Sequence, residues 1–442
     1  MGIFSIEQKD NKKILSVKSP VDFRNVGTYV CASTEDVKSA MQKSRDAQKH
    51  WSKTSITERC ELMHNLIDVI MENQDYIMQV VMDETGKPIQ EAMSMEIYSA
   101  IDSLAFYTKR APKWLKDESR SMHGPMQFLK KTKVAFKPRG VIGVITPWNG
   151  PFILSINPAI QAVLAGNSVI IKPSEVTPKS GMLVEEMFKK ADAPDDLVQV
   201  LIGDGQVGAD LINLKPDKVS FTGSIKTGKL IARQCGESLI PFSLELGGKD
   251  AMIVCDDADI DDAAKGAVIG SCMNAGQYCC GTERIYVQES IYESFLEKVV
   301  EYTKELKQSD DKYADVGPTF WDKQIDIIED HIEDAKSKGA KNLIGGKRNP
   351  NFDGLYFEPT VIVDVTHDMK IMTDETFGPI ISIMRVSSED EAIRLANDSF
   401  YGLNGNVWTK DITKGEKIAK SIETGALSLI HISEPTRLHV IS

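Results

Sequence analysis

The chain has 442 residues, about three times the length of a typical domain, and 42% of its residues are apolar and 26% charged. These values exclude a disordered chain, a collagen-like repeat and a small disulfide scaffold, and they predict two or three domains with sizeable cores. The net charge of −12 at pH 7 opposes general binding to nucleic acid or to anionic lipid.

Seven cysteines lie at irregular spacing between Cys31 and Cys280. The odd number, without a zinc-type spacing, predicts free thiols in a reducing compartment and no metal site. The N-terminal sequence lacks the apolar segment of a signal peptide, and prolines interrupt the most apolar stretch, residues 141–171. We therefore expect a cytoplasmic protein that does not enter a membrane.

The first third of the chain carries mainly helical signals. Ser55 and Glu58 form a capping-box pattern at the start of an apolar periodicity. The apolar positions of this predicted helix share one face: Leu62, Leu66, Ile67, Ile70 and Met71. We interpret this region as scaffold. Residues 119–138 show no helical period and predict a β-hairpin that serves assembly.

From about residue 134, short apolar runs alternate with helical segments. The runs are VIGVIT, SVIIKP, LVQVLIG, KVSFTG, FSLELGG, AMIVC, ERIYV, TVIVDV and PIISIMRV. Repeated alternation of strand and helix predicts an α/β protein with largely parallel sheets. The motifs described below place a boundary between two domains near residue 245.

A candidate nucleophile is the thiol of Cys279 in the sequence NAGQYCC, which follows a helical run. A free thiol is only slightly ionised at neutral pH, so a basic partner or backbone N–H groups must activate it. None of the seven histidines lies near Cys279 in sequence, which leaves a cysteine–histidine pair without an obvious second member. The alternative is that Cys279 and Cys280 are buried structural cysteines.

Glu245 is a candidate general base because it ends an apolar strand before two glycines. Apolar surroundings would desolvate the carboxylate and make it a stronger proton acceptor. The alternative is a solvated carboxylate at the end of a strand.

Residues 223–230, GSIKTGKL, follow the strand KVSFT and open a helix, which nearly matches a Walker A loop. Leu230 stands where that loop needs Ser or Thr to hold magnesium, so a nucleoside triphosphatase lacks a ligand. Glycines at a helix N-terminus still let the backbone approach a phosphate, and the alternative is a plain turn.

Two further polar segments follow predicted strands, at the sheet edge where ligands of α/β proteins bind. Residues 146–149, TPWN, present the side-chain amide of Asn149, which suits a donor to an oxyanion. Residues 172–175, KPSE, follow the strand SVII. The alternatives are an Asn that stabilises a turn and a solvated charged turn.

Together and in this order, the motifs PWN, KPSE, FTGSxxxG, ELGGK and GQxC resemble those of the aldehyde dehydrogenase superfamily. The resemblance runs from about Ser19 to Ala426 and includes ETFGP and YGL. It implies a Rossmann-type NAD(P)-binding domain over residues 1–245, with the hairpin for oligomerisation. An α/β catalytic domain is implied over residues 246–426.

The resemblance implies a chemical role for three residues. Cys279 would attack the aldehyde carbonyl, and the Asn149 side chain and the Cys279 backbone N–H would hold the oxyanion. Hydride would pass to nicotinamide, and Glu245 would activate the water that hydrolyses the thioester. Relatives that acylate CoA generally lack this glutamate, so its presence favours a free acid product.

The resemblance also assigns contacts to the dinucleotide. Lys172 and Glu175 are expected at the adenosine ribose, and Gly223 and Ser224 near the diphosphate. Glu375 and Phe377 are expected at the nicotinamide riboside. The remaining expected contacts are Thr146, Pro147, Trp148, Ser174, Gly228, Leu246 and Gly247. The Glu175 carboxylate would repel a 2′-phosphate, so we expect NAD, with NADP as the alternative.

Residues 151–158, PFILSINP, lack the arginine of succinic-semialdehyde members and the tryptophan of betaine-aldehyde members. An uncharged aliphatic or aromatic aldehyde is therefore expected. The alternatives are a semialdehyde-specific enzyme, a CoA-acylating enzyme and a catalytically silent homologue. The family pattern implies a homodimer or homotetramer.

The end of the chain departs from the family pattern. Residues 427–442, LSLIHISEPTRLHVIS, match neither the glycine-rich loop nor the assembly arm with which the family ends. They resemble translated sequencing adapter. We therefore expect a non-native tail after an incomplete catalytic domain.

Overall fold

The structure is a computed structural model and describes residues 2–430. Its N-terminal part is a three-stranded antiparallel sheet, in which β2 lies between β1 and β3. These strands are β1 (Phe4–Lys9), β2 (Lys12–Lys18) and β3 (Asn25–Val30). The residues of β1 and β3 are all exposed or half-buried and carry little apolar signal, so this sheet is not predicted from the sequence.

Helices then occupy the chain up to residue 114. They are α1 (Thr34–Trp51), α2 (Ile56–Glu72), α3 (Gln74–Thr85), the single turn α4 (Ile89–Glu91) and α5 (Ser99–Trp114), with a π-helical turn over Ala92–Tyr98 between the last two. The helix predicted after Ser55 is confirmed, and Ser55 and Glu58 exchange both hydrogen bonds of a capping box. Met71 was wrongly placed on its buried face: it is 52% exposed, because it lies about 100° around the helix from Ile70.

A short antiparallel hairpin follows, with β4 (Glu118–Arg120) paired to β5 (Thr132–Val134). It lies within the segment predicted as a hairpin, but only three residues of each strand are paired.

The next unit is a five-stranded sheet in the order β10-β9-β6-β7-β8, and all of its strands are parallel. Its strands are β6 (Val141–Ile145), β7 (Ser168–Lys172), β8 (Val198–Val200), β9 (Lys218–Thr222) and β10 (Phe242–Glu245). Its helices are α6 (Ile153–Leu164), α7 (Pro178–Lys190), α8 (Gly205–Asn213) and α9 (Ile225–Glu237). Every residue of β7 is buried, as expected for a parallel strand covered on both faces.

A seven-stranded sheet begins at Asp250, in the order β13-β14-β15-β12-β11-β16-β17. Its strands are β11 (Asp250–Val254), β12 (Thr282–Gln288), β13 (Lys341–Ile344), β14 (Thr360–Val363), β15 (Ile380–Val386), β16 (Gly405–Trp408) and β17 (Ser428–Ile430). Its helices are α10 (Ile260–Cys272), α11 (Tyr292–Glu305), α12 (Asp322–Ser337), α13 (Lys370–Thr373), α14 (Glu389–Asn397) and α15 (Ile412–Ser421). The edge strand β13 pairs antiparallel with β14.

The predicted α/β class is confirmed, and each of the nine predicted strands is present. The segment expected to be a non-native tail contributes β17, which pairs parallel with β16. The other residues of that segment, 431–442, lie outside the described residues. The chain thus forms a parallel sheet that ends at Glu245, followed by a largely parallel sheet that starts at Asp250.

Candidate active site

A cleft of about 220 Å³ lies at the carboxyl ends of β6, β9 and β10, where loops of the seven-stranded sheet close it. This position follows from topology, because the carboxyl ends of parallel strands meet at one edge of a sheet. The cleft brings together most of the residues predicted from sequence: Pro147, Trp148, Asn149, Gly223, Ser224, Glu245, Leu246, Gly247, Cys279, Glu375 and Phe377.

Five predicted cofactor residues do not line this cleft: Thr146, Lys172, Ser174, Glu175 and Gly228. The Thr146 hydroxyl is 2.9 Å from the hydroxyl of Ser155 in α6, and the Ser174 hydroxyl accepts from the Val176 N–H two residues further on. Lys172 and Glu175 form an ion pair of 3.1 Å at the end of β7. Gly228 lies in the first turns of α9, where a β-carbon would come within 2.6 Å of Leu246.

The thiol of Cys279 faces the cleft and lies 3.8 Å from the thiol of Cys280. A hydrogen bond from Cys280 lowers the pKa of Cys279, and backbone N–H groups add to this, while burial and the charge of Glu245 oppose it. The same contact raises the pKa of Cys280. Neither thiol is buried as the alternative of structural cysteines expects: both are half-buried, whereas the other five cysteines are buried.

Asn149 is 6% exposed and is held by a network of amide hydrogen bonds. Its side-chain N–H₂ donates to the Gln277 carbonyl at 3.1 Å. The side chain of Asn274 donates to the carbonyls of both Asn149 and Gln277, at 3.0 and 2.8 Å. An amide N–H₂ carries two protons, so one N–H of Asn149 remains for a ligand in the cleft.

The segment before Cys279 has an unusual backbone. Asn274, Ala275 and Gly276 have φ values of 56°, 52° and 72°, in the left-handed region. A β-carbon at Gly276 would collide with the carbonyl of Gly378, so only glycine fits there. Strained backbone of this kind persists only where the surroundings fix it, and here it lies three residues before the cysteine that lines the cleft.

Glu245 ends the edge strand β10 and is exposed toward the cleft. The expectation that apolar surroundings desolvate its carboxylate is therefore wrong. The physical reason is its position, because an edge strand has no neighbour on one side and its last residue opens into the cavity. A solvated carboxylate beside Cys279 remains able to accept a proton from water.

Glu375 and Phe377 also line the cleft. The Glu375 carboxylate accepts from the Gly248 N–H at 3.1 Å. Burial, together with the nearby charge of Glu283, raises the pKa of Glu375 to about 8. Phe377 has a φ of 52°, and its ring packs edge-on against Trp148 with centroids 5.5 Å apart.

Five residues that line the cleft were not predicted from the sequence: Leu154, Thr222, Trp321, Gln324 and Ile327. Three of them lie at or near the start of α12, whose sequence carries only an ordinary amphipathic pattern. Only the packing of α12 beside Trp148 brings them to the cleft, with Trp321 6.2 Å from Trp148 between ring centroids. Among the described residues that line the cleft there is no Lys, Arg or His, and the two carboxylates are those of Glu245 and Glu375.

The N-terminus of α9 suits the diphosphate of a dinucleotide. Gly223 and Ser224 line the cleft just before this thirteen-residue helix, whose first N–H groups and dipole favour an anion. Gly247 lies so close to the Glu375 carboxylate that a β-carbon there would collide with it. Leu230, the residue that breaks the Walker pattern, is exposed on α9.

Within residues 2–430, no group of His, Cys, Asp and Glu side chains is arranged to hold a metal ion. In the same part of the chain, no helix combines the length and apolarity needed to cross a membrane.

The aldehyde dehydrogenase family model matches residues 6–438. The 4,4′-diapolycopene aldehyde oxidase of Methylomonas sp is 41% identical over 412 residues, which cover 93% of this chain and 77% of that protein. A crystal structure of Mycobacterium tuberculosis aldehyde dehydrogenase complexed with NAD+ is 32% identical, with a TM-score of 0.91, covering 95% of this chain and 87% of that one. Succinate-semialdehyde dehydrogenase from Burkholderia pseudomallei is 30% identical, with a TM-score of 0.90, covering 97% and 89%.

Proposed function

The chain belongs to the aldehyde dehydrogenase family, and we propose that it oxidises an uncharged, apolar aldehyde to the carboxylic acid through a covalent intermediate on Cys279. The resemblance inferred from the motifs is thereby confirmed, as is NAD(P)-dependent aldehyde dehydrogenase activity. The roles of individual residues and the substrate class belong to the proposal.

In the proposed mechanism, the Cys279 thiolate attacks the aldehyde carbon and forms a thiohemiacetal. The free N–H of the Asn149 amide and the Cys279 backbone N–H donate to the oxyanion. Donors aimed at a developing oxyanion typically contribute about 10²- to 10³-fold in rate each. The lowered pKa of Cys279 supports this role, because only the thiolate is the nucleophile.

NAD(P), when bound, supplies the hydride acceptor. Its diphosphate would lie at the N-terminus of α9 beside Gly223 and Ser224, and its nicotinamide end would lie toward Glu375 and Phe377. Loss of hydride leaves a thioester on Cys279. Glu245 then accepts a proton from the water that attacks the thioester, and its exposed position at the end of β10 supports access for that water.

The main support for an uncharged substrate is that the described residues lining the cleft include no cationic side chain. The carboxylate of a semialdehyde would lie near Glu245 and Glu375 without a positive partner. Leu154, Trp321 and Ile327 instead provide apolar surface that an alkyl or aryl chain can cover. The relative named for diapolycopene aldehyde supports an apolar substrate, and the relative named for succinate semialdehyde supports the alternative.

The test is the formation of reduced nicotinamide by the purified chain with hexanal, benzaldehyde, succinate semialdehyde and betaine aldehyde. We expect kcat/KM for the two uncharged aldehydes to be at least about tenfold higher, a gap that corresponds to about 1.4 kcal/mol. Added CoA should not raise the rate. Ile327→Arg supplies the missing cation and should shift preference toward succinate semialdehyde. A preference of the unaltered chain for succinate semialdehyde would contradict the proposal.

We further propose NAD over NADP, a cytoplasmic location and a homo-oligomer. The Lys172–Glu175 pair supports NAD, because Glu175 can accept from a ribose hydroxyl and repels a 2′-phosphate. The seven free thiols support a reducing compartment. Exposed Phe128, Leu129 and Phe136 in and beside the hairpin loop support its use in assembly. Kinetics with both cofactors and the mass of the protein in solution test these points.

A further inference from the structure

A fully buried ion pair lies behind the loop that carries Asn149. The Lys87 ammonium is 2.6 Å from a carboxylate oxygen of Glu96, and both side chains have no exposed surface. Lys87 lies two residues before the single turn α4, and Glu96 lies within the π-helical turn that follows it. This part of the chain was interpreted from sequence as scaffold, and neither residue lines the cleft.

Both members of the pair also bind the backbone of the Asn149 loop. Lys87 donates to the Asn149 carbonyl at 3.2 Å. The second oxygen of Glu96 accepts from the N–H groups of Phe152 and Ile153, at 3.1 and 2.9 Å, where α6 begins. The pair therefore fixes the loop at both ends, over residues 149–153.

The same lysine contacts the cysteine side of the cleft. Its ammonium lies 5.8 Å from the centre of the Phe320 ring, and the Phe320 N–H donates to the Gln277 side chain at 2.8 Å. Gln277 is the residue whose carbonyl accepts from the Asn149 amide. One buried cation thus touches the Asn149 loop directly and the cysteine loop through Phe320.

A second buried pair repeats this arrangement behind the loop that carries Glu375 and Phe377. Lys249 is 2.5 Å from Glu283, whose carboxylate accepts from the consecutive N–H groups of Thr376 and Phe377 at 2.8 and 2.9 Å. In both pairs a glutamate holds two neighbouring N–H groups of a loop that lines the cleft. Buried ion pairs are poor sources of stability compared with apolar packing, so stability alone does not account for their placement.

We propose that Lys87 and Glu96 are positioning residues for the oxyanion donor. By holding the Asn149 carbonyl and the first turn of α6, they fix the direction of the Asn149 side chain before the aldehyde arrives. The inference rests on the proposed function, in which the Asn149 amide donates to the oxyanion. A displacement of about 1 Å in such a group can cost about 10²-fold in rate.

The double variant Lys87→Met/Glu96→Gln removes the pair without leaving a lone buried charge. We expect hydride formation in a single turnover to slow by about 10²-fold, as kcat rather than KM, while NAD affinity stays unchanged. Hydrogen–deuterium exchange of peptides covering residues 146–154 should become faster. This second measurement reports on the loop itself and needs no turnover.

Arg59→Met is the matched control. Arg59 is buried and donates to the Leu164 carbonyl, at the opposite end of α6 and away from the cleft. It should lower thermal stability without slowing hydride formation or loosening residues 146–154. If the double variant loses only stability, or if Arg59→Met slows hydride formation equally, the positioning role is wrong.

The two proposals fail in different ways. If the unaltered chain forms no reduced nicotinamide with any aldehyde, the proposed function fails, and unchanged exchange in the double variant would independently refute the positioning role. If the double variant does not fold, Glu96→Gln alone is measured identically. This variant keeps the contact of Lys87 with Asn149 but weakens the hydrogen bonds from the first N–H groups of α6 to residue 96. We therefore expect faster exchange at residues 152–154. Unchanged exchange there overturns the inference.

Discussion

The sulfur atoms of Cys279, which lines the cleft, and Cys280 lie 3.8 Å apart. When Cys279 is a thiolate, the Cys280 S–H donates to it, and this contact is the largest cause of the lowered pKa of Cys279. The nearby Glu245 carboxylate acts in the opposite direction. The thiol next in sequence, which the family resemblance leaves without a role, thus favours ionisation of the thiol expected to react.

Cys280→Ala is therefore expected to raise the pKa of Cys279, which lowers the thiolate fraction at neutral pH. Alkylation of Cys279 by iodoacetamide, followed as a function of pH, should show its midpoint at higher pH and a lower rate at pH 7. Cys60→Ala, at a buried thiol in α2, is the control and should leave the profile unchanged. A midpoint that stays or moves to lower pH would contradict this role.

Cys279→Ala should abolish aldehyde oxidation, because no other described lining residue offers a thiol to the substrate. NAD binding, measured by quenching of tryptophan fluorescence, should remain close to that of the unaltered chain. Cys280→Ala serves as the comparison and should retain turnover. Substantial oxidation by Cys279→Ala would mean that the mechanism is wrong.

Glu245→Gln should separate the two halves of the reaction. Oxidation leaves the thioester intact when no base activates water, so we expect a burst of about one reduced nicotinamide per chain, then slow turnover. Rapid-mixing absorbance and intact-protein mass spectrometry would show the burst and the acylated Cys279. The control is Glu237→Gln, an exposed carboxylate at the end of α9. Full steady-state turnover by Glu245→Gln would exclude Glu245 as the base.

Glu175→Gln should shift cofactor preference toward NADP. The substitution removes the charge that repels a 2′-phosphate and frees Lys172, now 3.1 Å from Glu175, to bind the phosphate. We expect the ratio of kcat/KM for NADP to that for NAD to rise by about tenfold or more, roughly 1.4 kcal/mol. Glu185→Gln, which removes a carboxylate from α7, should leave the ratio unchanged. An unchanged ratio in Glu175→Gln would contradict the placement of the ribose.

Because Glu91 is a buried carboxyl, we expect the free energy of unfolding to depend on pH. Burial raises its pKa to about 7, although the Asn274 N–H and the charge of Lys87 oppose the rise. A carboxyl whose pKa is raised in the folded state favours folding below its unfolded pKa, and this contribution is lost as pH rises through about 7. The loss is on the order of 3 kcal/mol, from about 1.4 kcal/mol per pKa unit.

Urea unfolding at pH 5 and pH 8 measures this effect. The free energy of unfolding should be lower at pH 8 than at pH 5. Glu91→Gln should make this decrease smaller, because glutamine carries no proton to lose. Glu72→Gln, at an exposed position in α2, is the control. A fall of the same size in Glu91→Gln and in the unaltered chain would refute the assignment.

The sequence by itself determined the α/β class, the nine predicted strands and the positions of the main site motifs. Apolar runs in buried parallel strands are local signals, and the carboxyl ends of such strands necessarily meet at one edge. The motifs that follow β6, β9 and β10 were therefore placed together before any contact was known. The roles expected of Cys279, Glu245 and Asn149 came from the family resemblance and stay predictions.

Only the tertiary structure decided the surroundings of these residues. Glu245 is exposed because β10 is an edge strand. The apolar pattern of a single strand does not indicate its place in the order of strands. Lys87 and Asn149 are 62 positions apart, and Glu91 and Asn274 are 183 apart. Contacts over such separations leave no periodic signal, because they depend on how elements distant in sequence, such as α4, the π-helical turn and α6, pack against one another.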